Sequence, residues 1–206
     1  MKRKGMISAL MMTCVLLAGC GGRTQQEHFE DIRGAIADAG SIAFTAAVTA
    51  NFEDRTEEFT LDCLRQAGDW TMTVMQPELI AGVTAHMSGA ESDVVYGSVM
   101  LSTGDLTDCG ILPISAAPVA LDTLTDGYLS SNWTENGNLA VKLIRDDTVT
   151  VTVWFDEADV PAAMEVAEDG VVKATCTIEN FTTEGSNDGI TEETDLGGDP
   201  AGESGT

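Results

Sequence analysis

The chain has 206 residues, ten Lys and Arg against 34 Asp and Glu, and a net charge of −24. That balance excludes nucleic-acid binding, which rests on basic contacts to phosphate, and electrostatic adhesion to anionic lipid headgroups. With aromatic residues at 5%, any core must be built from Val, Ile, Leu, Met and Ala.

Lys2, Arg3 and Lys4 open the chain, and an apolar run from Ile7 to Ala18 follows. The run is shorter than the ~20 apolar residues of a membrane-spanning helix and reads as the h-region of an export signal. It ends in Leu17-Ala18-Gly19-Cys20, which resembles the lipobox of bacterial lipoproteins. The resemblance implies a signal peptide over 1–19, cleavage before Cys20 and a diacylglycerol carrying palmitate-type acyl chains on its sulfur. The mature protein would then be held to the extracytoplasmic side of the cell membrane, each buried methylene contributing about 0.8 kcal/mol. An ordinary secretory signal with a chance cysteine is the other reading. Without the leader, seven Lys and Arg face 34 Asp and Glu, a net charge of −27. Residues 20–24 read as a lipidated tether.

Thr24 and Glu27 match a capping box, and Phe29, Ile32 and Ile36 recur at helical spacing before Gly40. The polar face of this helix carries Glu27, Glu30, Asp31 and Asp38 against Arg33, so packing on a sheet is expected rather than a place on the membrane surface. Beyond Gly40 the period changes to two. Ile42 to Val48, Phe59 to Cys63, Trp70 to Val74, Val83 to Met87 and Asp93 to Leu101 read as strands. Ala67-Gly68-Asp69 reads as a tight hairpin, Pro77 to Gly82 as a loop or helical turn, and Asp105 to Ile111 as a further short strand. A second helix is expected from Pro118 to Leu129, with Pro118 near its start. A closing meander runs Leu139 to Arg145, Thr148 to Phe155, Ala162 to Glu168 and Val171 to Phe181, with Asp169-Gly170 as a hairpin turn. From Thr182 onward acids, Gly, Ser and Thr predominate, and no Lys, Arg or aromatic residue occurs. Too little apolar surface is available there to offset ordering entropy.

The chemistry-bearing residues are few. His28 and His86 are the only histidines, and no nucleophile motif or phosphate-binding loop accompanies them. Glu184, Ser186, Asp188, Gly189 and Asp195 approximate a calcium-loop spacing. The terminal ligands are wrong and no helices flank them, so an acidic tail is the reading. Of the five cysteines, Cys14 leaves with the leader and Cys20 is modified, leaving Cys63, Cys109 and Cys176, an odd set read as buried thiols. No metal and no cofactor is expected.

The stretch Val149-Thr150-Val151-Thr152-Val153-Trp154-Phe155-Asp156, then Val160-Pro161-Ala162-Ala163-Met164-Glu165-Val166, and the closing Ile178-Glu179-Asn180-Phe181 resemble the lipoprotein-carrier (LolA/LolB-like) family. So does the element order over Gln25 to Thr183. The resemblance implies a mainly β (α+β) fold, a curved antiparallel unclosed half-barrel of nine to ten strands with two covering helices. The domain would span 25–183, with a disordered acidic tail over 184–206. The leading expectation is a non-enzymatic, lipid-anchored envelope protein that binds a lipid, acyl chain or lipopeptide in the half-barrel. Trp70, Met72, Met75, Met87, Tyr96, Met100 and Trp154 are the candidate ligand lining, because methionine adapts to varied apolar surfaces. The methionines could equally fill a core short of aromatics. Two other readings stay open: an interaction protein with a filled core that docks an envelope partner, and a hydrolase using an acid pair. An apolar cavity would favour ligand binding; a half-barrel packed solid would favour docking.

Overall fold

The computed structural model describes residues 24–106 and 110–185. The expected signal peptide, Cys20 with its tether up to Arg23, Cys109 and the chain from 186 onward lie outside the described residues. Thr24 caps the first helix, α1 (Gln25–Ala37), through the expected box: its Oγ1 accepts from the Glu27 amide and its own amide donates to Glu27 Oε2. Two long strands follow, β1 (Ala39–Asn51) and β2 (Thr56–Gln66), then β3 (Asp69–Gln76) and one 3-10 turn at Glu78–Ile80. The chain continues through β4 (Thr84–Ser88), β5 (Glu91–Tyr96), β6 (Val99–Ser102) and the second helix, α2 (Pro113–Asp126). It closes with β7 (Tyr128–Glu135), β8 (Asn138–Ile144), β9 (Val149–Phe155), β10 (Pro161–Glu168) and β11 (Val171–Gly185).

All strands join one antiparallel sheet in the order β6-β5-β4-β3-β2-β1-β11-β10-β9-β8-β7. Each half is a meander built from short turns, and among the described residues the only distant strand pairing is β1 with β11. Because β6 and β7 have no strand beyond them among the described residues, the sheet is an unclosed half-barrel, as the resemblance implied. Asp169-Gly170 makes the expected hairpin, both residues at positive φ. The Asp that ends β9 also has a definite task. Asp156 Oδ1 accepts from the amides of Ala158 and Val160 at 2.8 and 2.9 Å, shaping the loop that returns the chain at Pro161.

Several sequence expectations are corrected. The second helix starts at Pro113, not near Pro118, which lies inside it. Pro113 holds the first-turn position where a missing N–H costs nothing, and the lost bond at Pro118 is tolerated because that turn is buried against the sheet. Asp93 to Leu101 is not one strand, since Gly97 takes a positive φ and folds it into the β5–β6 hairpin. No strand occupies the described part of Asp105 to Ile111. Strand β7 was not expected, because Ser, Asn and Thr dominate it, which brings the count to eleven. Finally, β11 runs through Thr182, Thr183 and Glu184 to Gly185, into the stretch expected to be disordered. Backbone pairing with Ala43, Ile42, Ser41 and Ala39 orders it where side-chain burial could not.

The core lies between the concave sheet face and α2. Ala116, Ala117, Ala120, Leu121 and Leu124 are fully buried, with Val119 nearly so. This helix meets β1, β2, β3 and β8 through β11, and α1 packs beside it. Small residues along α2 let its backbone come close to the sheet, so ordinary Val, Ile and Leu side chains fill the gap without many aromatics. Phe29 of α1 closes one end on Phe155, edge to face with centroids 6.5 Å apart. Cys63 and Cys176 are free and buried within this core. Burial pushes the Cys176 thiol up to about 12, and burial with the nearby Cys176 and Asp62 raises Cys63 further still.

Leu121→Ala should cost about 2–5 kcal/mol in urea unfolding, the range for a cavity opened in a packed core. A methyl group on Gly127 would sit 2.5 Å from the Thr123 carbonyl oxygen and 2.7 Å from Thr123 Cγ2, so Gly127→Ala should lower the melting temperature sharply. By contrast, Gly34→Ala on α1 meets nothing within 4 Å and should stabilise by about 0.5–1 kcal/mol. Neither Cys63 nor Cys176 should react with an aromatic disulfide reagent until the protein is unfolded.

Candidate functional site

The concave face is where a half-barrel would hold a ligand, and here α2 occupies it. Trp70, Met72 and Met87 point into that face and are buried in the same cluster as α2. Trp70 is fixed further: its Nε1 donates to both carboxylate oxygens of Asp122 on α2, at 3.0 and 3.2 Å. These three of the seven candidates are core. Tyr96 shares their face, because Val94, one position-pair back, stands opposite Ala85 and through it Met72. It is exposed. Met75, Met100 and Trp154 have the opposite parity and lie on the convex face. Met75 and Met100 are exposed there, whereas Trp154 Nε1 donates to Glu135 Oε2 at 2.8 Å, shared with Trp133 Nε1 at 3.3 Å. The seven therefore do not form one lining.

Burial raises the Asp122 carboxyl above the usual carboxylate range, opposed by the Trp70 hydrogen bond and by Arg65 and Arg145, and aided by Asp126. Around it opens a polar depression of about 430 Å³ bounded by Arg65, Asp122, Asp126 and Arg145. Two cations and two carboxylates balance there. Arg65 is also committed elsewhere, its Nη2 donating to the Ile36 carbonyl at the end of α1. A smaller, more apolar depression of about 240 Å³ lies where Ile32 and Ile36 of α1 face Val160, Pro161 and Phe181. Both are open to solvent.

The histidines are held structurally. His28 Nε2 is 2.9 Å from Asp159 Oδ2, tying α1 to the β9–β10 loop, and His86 Nδ1 lies 3.1 Å from Thr71 Oγ1 across the β3–β4 pair. No group of three His, Cys, Asp or Glu side chains that could hold a metal occurs among the described residues.

The β5–β6 hairpin exposes Tyr96, Val99, Met100 and Leu101 together, of which the sequence candidates included Tyr96 and Met100 but not Val99 and Leu101. Its signal was present in Val99-Met100-Leu101, apolar on three successive positions and therefore apolar on both faces of a strand.

No family model matches the chain, and comparison with curated proteins returns no match. Solved structures of similar chain path exist. One is a LolA superfamily protein from Nitrosomonas europaea, 14% identical, covering 78% of this chain and 94% of its own, with TM-score 0.47. Another is a putative outer membrane lipoprotein-sorting protein domain from Vibrio parahaemolyticus, 14% identical over 78% and 93%, TM-score 0.45. A third is a chain of the Clostridioides difficile complex of the CwlD amidase with the GerS lipoprotein, 15% identical over 79% and 98%, TM-score 0.41. At such identities and scores these likenesses bear on neither ligand nor partner.

The raised Asp122 carboxyl has a consequence for stability against pH. Its contribution is full below its unfolded pKa and is lost as pH rises through the higher folded value. Asp122→Asn keeps an oxygen for Trp70 Nε1 without the charge. Relative to this variant, wild type should lose thermal stability as pH rises above the unfolded carboxylate value of about 4.

Proposed function

We propose that the protein is a non-enzymatic, lipid-anchored envelope protein that works by docking a protein partner on its outer surface. The observation that carries this reading is α2, whose apolar side chains fill the concave face that a carrier would leave for its ligand. Trp70 and Asp122 tie helix to sheet there, so admitting an acyl chain would require breaking this contact and uncovering a packed core. Attachment through Cys20 supports a place at the cell membrane's extracytoplasmic face, and the surplus of acids suits a solvated surface there. Neither a cofactor nor a metal enters this reading.

Binding of a lipid or lipopeptide is the second reading. The apolar depression between α1 and Pro161 favours it, because displacement of α1 would extend that depression toward Phe29 and Phe155. Mass spectrometry of organic extracts separates the two. The mature chain carrying Cys20→Ser, purified natively from bacteria, should yield no stoichiometric lipid, before or after incubation with fatty acids and phospholipids. A lipid recovered at one per chain would sink the docking reading in favour of the carrier.

A further inference from the structure

The sheet has two free edges, and they are treated differently. A bare strand edge presents unpaired amides and carbonyls that invite another strand, and proteins usually blunt it with Lys, Pro, a bulge or a covering element. Edge β7 carries such protection. Its register is broken between Leu129 and Ser131, Ser130, Ser131, Asn132 and Thr134 make it polar, and α1 packs on it, with Gln25 Nε2 donating to Thr134 Oγ1. Among the described residues, edge β6 has none of these. Val99, Met100 and Leu101 are 67%, 67% and 62% exposed, and Tyr96 beside them is 56% exposed. Its register with β5 is unbroken.

The hydrogen-bonding phase of the hairpin shows which groups the edge offers. Thr103 donates its amide to the Ser92 carbonyl at 2.8 Å, and the β5–β6 register continues through Val94 opposite Leu101 and Tyr96 opposite Val99. In an antiparallel pair bonded positions alternate, so the amides and carbonyls of Met100 and Ser102 point away from the sheet. Side chains on either side of that line are apolar: Tyr96, Val99 and Leu101 on the concave face, Val95 and Met100 on the convex one. An added strand would find contacts for alternate side chains on both faces.

Charge decides what kind of strand fits. No Lys or Arg occurs between Arg65 and Lys142, the whole stretch from the β2–β3 turn to β8, and Glu91 and Asp93 stand on the neighbouring strand. A second copy of this chain would bring acid against acid on a molecule of net charge −24.

We infer that β6 is the docking edge of this protein and that it takes an extended, basic segment of another protein as an added antiparallel strand. The inference rests on the docking reading above and names its surface and the chemistry of its partner. Backbone bonds at Met100 and Ser102 give the register, apolar side chains against Tyr96, Val99 and Leu101 give affinity, and flanking Lys or Arg residues meet the acids of β5.

A synthetic peptide of sequence Lys-Lys-Val-Thr-Val-Thr-Val-Lys-Lys, labelled for fluorescence anisotropy, tests this on the mature chain carrying Cys20→Ser. The expected result is saturable binding with Kd on the order of 10–100 μM, weakened at least about tenfold by replacing every Lys with Glu. N-methylation of the peptide's alternate amides should abolish binding. Met100→Pro removes an outward amide that β5 does not use, and should also weaken binding about tenfold or more. Should that variant not fold, Leu101→Ser at an exposed position serves, with a loss of at least about threefold expected. Equal binding by the Met100→Pro or Leu101→Ser protein, equal binding of the N-methylated peptide, or no binding at all would overturn the inference. Self-association in sedimentation that Met100→Pro removes would overturn it too, assigning the edge to a second copy. Lipid-free extracts together with no peptide binding would leave the docking reading standing and this edge discarded; stoichiometric lipid would remove the docking reading itself.

Discussion

The packing of α2 into the concave face is the constraint on which the rest depends. A curved antiparallel sheet buries one face only if something follows its curvature, and a single helix rich in Ala and Leu does so here. The helix ends are then the difficulty, because the last carbonyls of a buried helix lack partners. Arg33 of α1 meets it, donating from Nε to the Leu124 carbonyl at 3.0 Å and from Nη2 to the Gly127 carbonyl at 2.8 Å. Arg65 does the same for the end of α1 at Ile36. Positive side chains at helix C-termini also suit the helix dipole. In a protein with so few cations, two of them hold the helices in the sheet.

A second consequence follows from the length of α2. A fourteen-residue helix makes its main contacts with β1 to β3 and β8 to β11. On the outer wing Ala85 and Met87 still belong to the main core, while Tyr96, Val99 and Leu101 stand in solvent. The Ser92 hydroxyl, buried without a partner, marks the margin of that packing. On the other wing, α1 extends the cover to β7. The asymmetry between the two sheet edges is thus a result of where the two helices sit.

The two long strands β1 and β11 join the halves. Everything else in the sheet is a local hairpin or meander, so the pairing of Ala39–Ala50 with Ala174–Gly185 is the one contact of high sequence separation that sheet assembly must wait for. Two register shifts in that pairing, near Gly40 and Phe44, let the strands twist around the helices. Phe44 stands at the second of them, stacked on Phe181 and edge-on to Trp70, so that the seam, the helix clamp and the closing strand meet around one ring.

Much of this was legible in the residues. The capping box at Thr24, the hairpins at Gly68 and Gly170, the period-two runs and the antiparallel half-barrel are local signals, set by backbone propensity and by apolar spacing along one stretch of chain. The start of α2 was not, because Pro113 and Pro118 give competing signals and only burial makes an interior proline tolerable. Nor was β7, whose polar residues belong to a strand only because β8 supplies its hydrogen bonds, and the same holds for the extension of β11 past Phe181. The candidate lining divided for a related reason. Sequence can say that Met72 and Met100 each sit on a strand, yet which one faces α2 depends on the register of strands far apart in the chain. The sequence by itself determined the acidity, most of the element types and the absence of recognisable catalytic motifs, since these reside in residue identity and short-range spacing. Only the tertiary structure decided that the concave face is full and that β6 is bare, since both follow from how far one helix reaches across eleven strands.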